Sequence, residues 1–179
     1  MTDDKDKEHG LSDVGRSFIA GQLKYLRELA LFYAPNINSY KRYVPGSFAP
    51  TAIRWGRDNR TCALRLVGHG QSLRLENRVP GGDVNPYLAV AGIIAAGLDG
   101  IKNNLKLEPA YTTNAYDSDS PRVPSTMAQA QSLWANSAWV KEVFGAEVQS
   151  HYANMAQVEL DAYGKAVTDW ELFRNFERF

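Results

Sequence analysis

The stretch PYLAVAGIIAAGLDGI, Pro86 to Ile101, constrains the fold more than any other part of this chain. It is apolar nearly all round at helical spacing, which places a helix inside a protein core or a bilayer. A bilayer-spanning helix takes about 20 apolar residues, and this stretch is shorter and carries three glycines and Asp99. A buried helix is therefore predicted, with Asn85 as its cap and Pro86 fixing φ in the first turn. Of the 179 residues 44% are hydrophobic, enough to build one domain around such a helix.

The 20 basic and 20 acidic side chains cancel, so no net charge argues for nucleic acid or a membrane surface as partner. Neither is expected; local basic clusters can still take small anions. The single cysteine, Cys62, excludes an internal disulfide framework and points to a reducing cytoplasm. In TCALRL it reads as a small core residue. The opening MTDDKDKEHG, residues 1–10, is a polar leader with no apolar run, so it predicts neither a signal peptide nor an anchor.

Ser12 and Asp13 can cap a helix whose apolar positions Val14, Phe18, Ile19, Leu23, Leu26, Leu29 and Ala30 share one face, ending near Tyr33 before Pro35. A loop punctuated by Pro35, Pro45, Gly46 and Pro50 follows. TAIRWG, TCALRLV and SLRLENR alternate as strands, and the glycine-rich GHGQ between the last two predicts an antiparallel hairpin. Residues 103–124 turn polar, which predicts a surface excursion. The remainder reads as helices: TMAQAQSLWANS, a long one from Ser137 through Lys165, and a short one capped by Thr168 or Asp169. The fold class is α+β, a short antiparallel sheet packed with several helices.

On the hairpin, Leu73 and Leu75 point one way, and Arg74, Glu76 and Arg78 the other. Arg65 joins the polar face opposite one of these three, depending on register. A solvated face with an ordinary surface salt bridge would explain one such pair. Three arginines around one glutamate, however, leave positive charge unneutralised. Arg42 in the Pro/Gly loop and Arg60 in the turn extend the set. Arginine's planar fork holds carboxylate or phosphate oxygens two at a time and stays charged at any working pH, so an anionic substrate with both groups suits the cluster.

Three stretches carry a resemblance: NSYKRYVPGSFAP (Asn38 to Pro50), RDNRTCALR (Arg57 to Arg65) and RLENRVPGGDVNPYLAVAGIIAAGLDGI (Arg74 to Ile101). In this order they resemble the C-terminal part of the glutamine synthetase catalytic domain. GLSDVGRSFIAGQL and VTDWELFRNFERF resemble that family's preceding helix and its usual end. The resemblance implies that residues 11–179 form a partial catalytic domain, without the N-terminal β-grasp domain and the first half of the catalytic domain. It implies an ATP-dependent glutamate–amine ligase, with ATP as co-substrate and Mg²⁺ or Mn²⁺ as metal. Arg42, Arg60 and Arg78 are the implied glutamate contacts. Arg60, Arg65 and Arg74 are the implied nucleotide and phosphate contacts, with Arg60 stabilising charge during transfer, and Glu76 is an implied metal ligand. His69 and His151 are not needed, and read as turn and helix-surface residues.

Two departures from the family pattern bear on function. After VPG, ammonia-using members carry a flap glutamate that helps to bind and deprotonate ammonium; here Phe48 takes that place. A ring there lines a pocket for a larger amine, so the resemblance is nearer to bacterial γ-glutamylpolyamine or γ-glutamylamine synthetases. The stretch between Arg65 and Arg74 is shortened, leaving no clear equivalent of a phosphate-contacting lysine. Glutamate, ATP and ammonia or a polyamine are the expected small-molecule partners, with a homo-oligomer or association with full-length subunits. The alternative reading is an inert family member acting only as an assembly module; an unrelated anion-binding α+β domain fits the ordered motifs less well.

Overall fold

A computed structural model describes Thr2, Asp3, Asp6 and residues 8–178. Met1, Asp4, Lys5 and Lys7 of the polar leader, and Phe179, lie outside the described residues. The elements are α1 (Asp13–Tyr25), α2 (Ala30–Tyr33), α3 (Ile37–Tyr40), β1 (Ala52–Arg57), β2 (Cys62–Val67), β3 (Arg74–Asn77), α4 (Pro86–Lys102), α5 (Met127–Asn136), α6 (Ala138–Phe144), α7 (Ala146–Lys165) and α8 (Asp169–Asn175). The α+β class holds: helices pack around one three-stranded sheet.

Ser12 caps α1 by accepting from the Gly15 N–H. Ahead of it, Asp6 accepts from the Leu11 N–H at 2.9 Å and pairs with Arg16, folding the leader back onto the helix. The helix expected to run to Tyr33 breaks after Tyr25. Within α1 the buried residues are Gly15, Ile19, Ala20, Gly21, Gln22 and Tyr25, while Val14 of the expected face is exposed; from Leu29 to Ala34 every residue is buried, so the chain passes through turns and re-enters the core as α2 along a new line.

The hairpin is as expected: β2 and β3 pair antiparallel, with Arg65 opposite Glu76 and Leu66 opposite Leu75. β1 joins β2 in parallel, making the sheet mixed rather than wholly antiparallel. A parallel neighbour ordinarily needs a long crossover; here residues 58–61 return the chain to the start of β1. This link and the 103–124 segment both lie so close to β1 that a Cβ on Gly56 would stand 2.9 Å from Asn59 Cβ and 2.6 Å from the Tyr111 carbonyl. Asp58, at φ 48°, makes the reversal, and Asn59 braces it by donating to the Tyr111 and Thr113 carbonyls. The apolar side of the sheet, Trp55, Leu64 and Leu66, packs on Leu11 and Ile19.

The excursion over 103–124 is anchored rather than loose. Tyr111 N–H donates to Trp55, Ile53 N–H to Pro121, and Val123 N–H to Thr51, covering the outer edge of β1. Its polar side chains are engaged as well: Glu108 accepts from Arg54, the Tyr116 hydroxyl donates to the Ala49 carbonyl, and Arg122 donates to the Thr51 hydroxyl.

Asn85 caps α4 by accepting from the Tyr87 and Leu88 N–H groups. The expectation that α4 is buried all round is corrected: Ala89, Gly92, Ala96, Gly97 and Gly100 are buried, while Tyr87, Val90, Ile94 and Leu98 are exposed. The small residues let α1 and α4 meet backbone to backbone. A Cβ on Gly21 would lie 2.0 Å from the Ala96 carbonyl, and one on Gly100 2.1 Å from that of Ser17. Tyr25 adds a hydrogen bond of 2.8 Å to Asp99.

The C-terminal helices close over α2 with an aromatic cluster in which Phe32 meets Trp134, Phe144 and Tyr152 at centroid distances of 4.5, 5.4 and 5.1 Å. The long helix expected from Ser137 to Lys165 is split at Gly145, whose φ of 88° suits glycine and redirects the chain between α6 and α7. Thr168 starts α8, with Glu171 reaching back to accept from its N–H at 2.7 Å. Trp170, Phe173 and Phe176 of this last segment are exposed. Among the described residues no helix is long and apolar enough to cross a membrane.

Candidate anion-binding site

The register of the hairpin sets the site. Directly opposite residues on an antiparallel pair share a face, so pairing Arg65 with Glu76 places both among the charged side chains and sends Leu66 and Leu75 to the other side. Arg65 Nη1 donates to Glu76 Oε2 at 3.0 Å, Arg78 Nη1 stands 3.9 Å from the same oxygen, and Arg74 Nη2 is 3.7 Å from Oε1. Both carboxylate oxygens of Glu76 thus face arginines. Asp58, which the sequence reading did not single out, takes the far side of Arg65, whose Nε donates to Asp58 Oδ1 at 3.0 Å. Its signal was available, a carboxylate inside RDNR between two arginines.

Arg65 is nearly enclosed, its side chain 12% exposed. The Asp58 hydrogen bond, with Glu76 beside it, pushes its pKa up, and Arg65 in turn holds the Asp58 carboxyl below the ordinary range. Arg78 is shifted the other way. Burial first, then the neighbouring Arg65, lowers its pKa, and Glu76 only partly offsets this. Its Nε is buried with no hydrogen-bond partner. An arginine that is destabilised as a cation, beside other arginines, marks a surface that favours an added anion.

The loop bearing Arg42 and Phe48 is tied to this face. Arg78 Nη2 donates to the Phe48 carbonyl at 2.7 Å, and the Tyr116 hydroxyl to the Ala49 carbonyl at 3.0 Å. Arg42 donates to the Arg78 carbonyl at 3.5 Å and to that of Val79, while Tyr43 donates to Val79 at 2.9 Å. Arg42 therefore clamps the backbone leaving β3. Phe48 has φ 60°, a region that bulky residues rarely enter, and the residue is 61% exposed at the loop tip.

The structure brings Arg65, Arg74, Glu76 and Arg78 together, with Arg42 reaching the same segment from the loop. Arg60 sits beside the cluster, its charge among those that lower the pKa of Arg78. It is exposed on the 58–61 link, in a shallow hollow with Asp58 and Arg65. His69 lies in the turn, with its Nδ1 2.7 Å from Arg57, and His151 is exposed on α7. Arg57 itself is committed to the His9 and Gly68 carbonyls.

A hard divalent cation takes about six oxygen ligands. Among the described residues no three His, Cys, Asp or Glu side chains group to hold one, and the Glu76 oxygens are met by arginines. These residues do not build a metal site by themselves.

Comparison with known proteins bears on the whole fold. The family model described as "Glutamine synthetase, catalytic domain" matches residues 1–175. A gamma-glutamylethanolamide synthetase of Streptomyces coelicolor is 65% identical over 169 residues, covering 94% of this chain and 37% of its own length. A glutamate–isopropylamine ligase of a Pseudomonas species is 40% identical, with 92% and 37% covered. A solved GmaS structure in complex with ADP superposes with a TM-score of 0.84 at 30% identity, over 96% of this chain and 41% of that one. The chain thus spans less than half the length of these relatives. On a model match across nearly every residue and an identity of 65%, the chain belongs to the glutamine synthetase catalytic-domain family, whose named members here are ligases.

Proposed function

We propose that this chain carries the glutamate- and phosphate-binding face of an ATP-dependent glutamate–amine ligase site. The observation that carries the reading is the convergence of Arg65, Arg74 and Arg78 on Glu76, with Arg78 also holding the loop carbonyl of Phe48. In the reaction, an oxygen of the glutamate γ-carboxylate attacks the γ-phosphorus of ATP. The bond to the ADP oxygen breaks and γ-glutamyl phosphate forms. The amine nitrogen then attacks the acyl carbon, phosphate leaves, and the amine gives up a proton as the amide forms. Arg78 and Arg42 hold the glutamate carboxylates. Arg65 and Arg60, with Arg74 at the rim, stabilise charge on the phosphoryl oxygens as it moves. Glu76 would offer one oxygen ligand toward a divalent metal whose other ligands lie outside these residues.

The acceptor is a primary amine larger than ammonia. Phe48 supplies an apolar ring where a carboxylate would hold ammonium, and two relatives are named for ethanolamide and isopropylamine chemistry. A small alkylamine or amino alcohol fits this better than a polyamine, whose several charges would meet a face already rich in arginine. We place the chain in the cytoplasm on the strength of its lone buried cysteine, and in an oligomer on the strength of its exposed α8 aromatics. The second reading, a non-catalytic assembly module, is favoured by the incomplete metal ligand set. The test is phosphate release from ATP with glutamate, comparing ethanolamine, isopropylamine, putrescine and ammonium. Preference for ammonium defeats the assignment of Phe48; silence with every amine and Mg²⁺ or Mn²⁺ selects the assembly reading.

A further inference from the structure

We infer that Tyr116 is a positioning residue for the amine acceptor: its hydroxyl pins the carbonyl next after Phe48 and so holds the Phe48 ring in place when the amine binds. The inference rests on the ligase reading and deepens it.

The backbone of Phe48 makes the case. Its φ of 60° puts a bulky residue where it rarely goes, and such a conformation persists only when the surroundings over-determine it. Three side chains do so. The Ser47 hydroxyl donates to the Val44 carbonyl at 2.6 Å and accepts from the Ala49 N–H at 3.3 Å, folding the loop from within. From outside the loop, Arg78 Nη2 holds the Phe48 carbonyl at 2.7 Å and the Tyr116 hydroxyl holds the Ala49 carbonyl at 3.0 Å. With two successive carbonyls fixed, the point from which the ring springs has little freedom.

The two outer clamps differ in what a ligand does to them. Arg78 is a cation that the ligase reading assigns to a glutamate carboxylate, and it already stands 3.9 Å from Glu76. A bound carboxylate competes with the Phe48 carbonyl for its donors, because charge-assisted hydrogen bonds are the stronger ones. The Tyr116 hydroxyl is not a cation and comes from a turn braced elsewhere. The Ala115 N–H donates to the Thr61 hydroxyl at 2.8 Å, the Asn114 side chain accepts from the Tyr116 N–H at 3.2 Å, and the Ser118 hydroxyl donates to the Ala115 carbonyl at 2.8 Å. Ala115 is fully buried. Tyr116 thus reaches the loop from a fixed base 67 residues along the chain. Once glutamate engages Arg78, Tyr116 is the clamp that stays. A ring held in place rewards the carbon chain of an alkylamine, which ammonium lacks; a ring free to swing does not discriminate.

The test is Tyr116→Phe, which removes one hydroxyl and keeps the aromatic ring. In this chain the Ser47 and Ala49 amides should exchange with deuterium at least about threefold faster than in the parent, with the melting temperature within about 2 °C of it. In the phosphate-release assay the KM for ethanolamine and isopropylamine should rise at least about fivefold, the KM for glutamate and for ATP should stay within about twofold, and the preference over ammonium should fall. In a Phe48→Ala background, adding Tyr116→Phe should change the amine KM by less than about twofold, since the hydroxyl acts through that ring. Unchanged loop exchange, an unchanged amine KM, a glutamate KM that rises equally, or a full effect in the Phe48→Ala background would each overturn the inference. The two failures are separable. A parent silent with every amine defeats the ligase reading and this role with it, whereas a selective parent whose selectivity survives Tyr116→Phe defeats the role of Tyr116 alone.

Discussion

The two long sides of α4 come from one apolar stretch and have opposite fates. On one side Ala96, Gly97 and Gly100 bring the helix against α1 and Gly92 faces Leu29, Phe32 and Tyr33, with Ala89 also buried; on the other Tyr87, Val90, Ile94 and Leu98 stand in solvent. The bulkier, more hydrophobic side is the open one. Hydrophobicity measures what burial is worth per unit of area, but the backbone approach of α1 is possible only where side chains are nearly absent. Side-chain size, more than hydropathy, separates a finished contact from an unfinished one in this helix.

Substitutions can break that contrast. Gly100→Val should have the largest effect, because its Cβ would meet the Ser17 carbonyl at 2.1 Å and Gly21 Cα at 2.8 Å. Both are backbone atoms, so the two helices would have to separate. The expected outcome is loss of the cooperative thermal transition; a melting temperature within about 2 °C of the parent's, a shift well under 1 kcal/mol, would show that the α1–α4 contact is not as close as described. Gly97→Ala sharpens the point. Its Cβ would meet the Phe18 ring at 2.1 Å, but a side chain can swing aside, so the cost should be about 1–3 kcal/mol in denaturant unfolding and clearly below that of Gly100→Val.

Acid should loosen the closed side next. Burial raises the pKa of Asp99, but the Tyr25 hydroxyl, Asn103 and the Lys24 charge outweigh it and leave the group below its ordinary 3.8. A carboxyl depressed by folding contributes stability above the unfolded pKa and loses it as pH falls through the folded value. Stability should therefore drop below about pH 4, and Asp99→Asn should flatten the curve there; an identical acid limb would remove the Tyr25–Asp99 bond from the account. On the open side Val90→Ala and Ile94→Ala should each change the stability of this chain by no more than about 0.5 kcal/mol. A larger loss would mean that this side is already covered.

How much of this was legible follows the range of the forces involved. Ser12, Asn85 and Thr168 announced their helix starts because capping is decided within a few residues. The antiparallel β2–β3 hairpin was legible for the same reason, from a glycine-rich turn between alternating runs. The one-sided burial of α4 was not, since no local rule tells a buried apolar face from one left open. The parallel placement of β1 depended on Gly56, Asn59 and Tyr111 meeting across some 50 residues of chain, and the 103–124 segment hid its role because its backbone and side-chain partners lie on β1 and the residues before it, far away in the chain. At the site, Arg65, Arg74, Glu76 and Arg78 were visible as a group by alternation alone. Asp58, the carbonyl partners of Arg42, and the link from Arg78 to Phe48 required the fold.

The sequence by itself determined the caps, the alternation of the hairpin, the crowd of arginines around one glutamate, and membership of the family through ordered motifs, because each is written in neighbouring residues. Only the tertiary structure decided which arginine faces Glu76, which side of α4 is closed, and that Arg78 reaches the loop tip. Those outcomes depend on strand register, on helix approach to within a glycine's width, and on contacts between segments far apart in the chain.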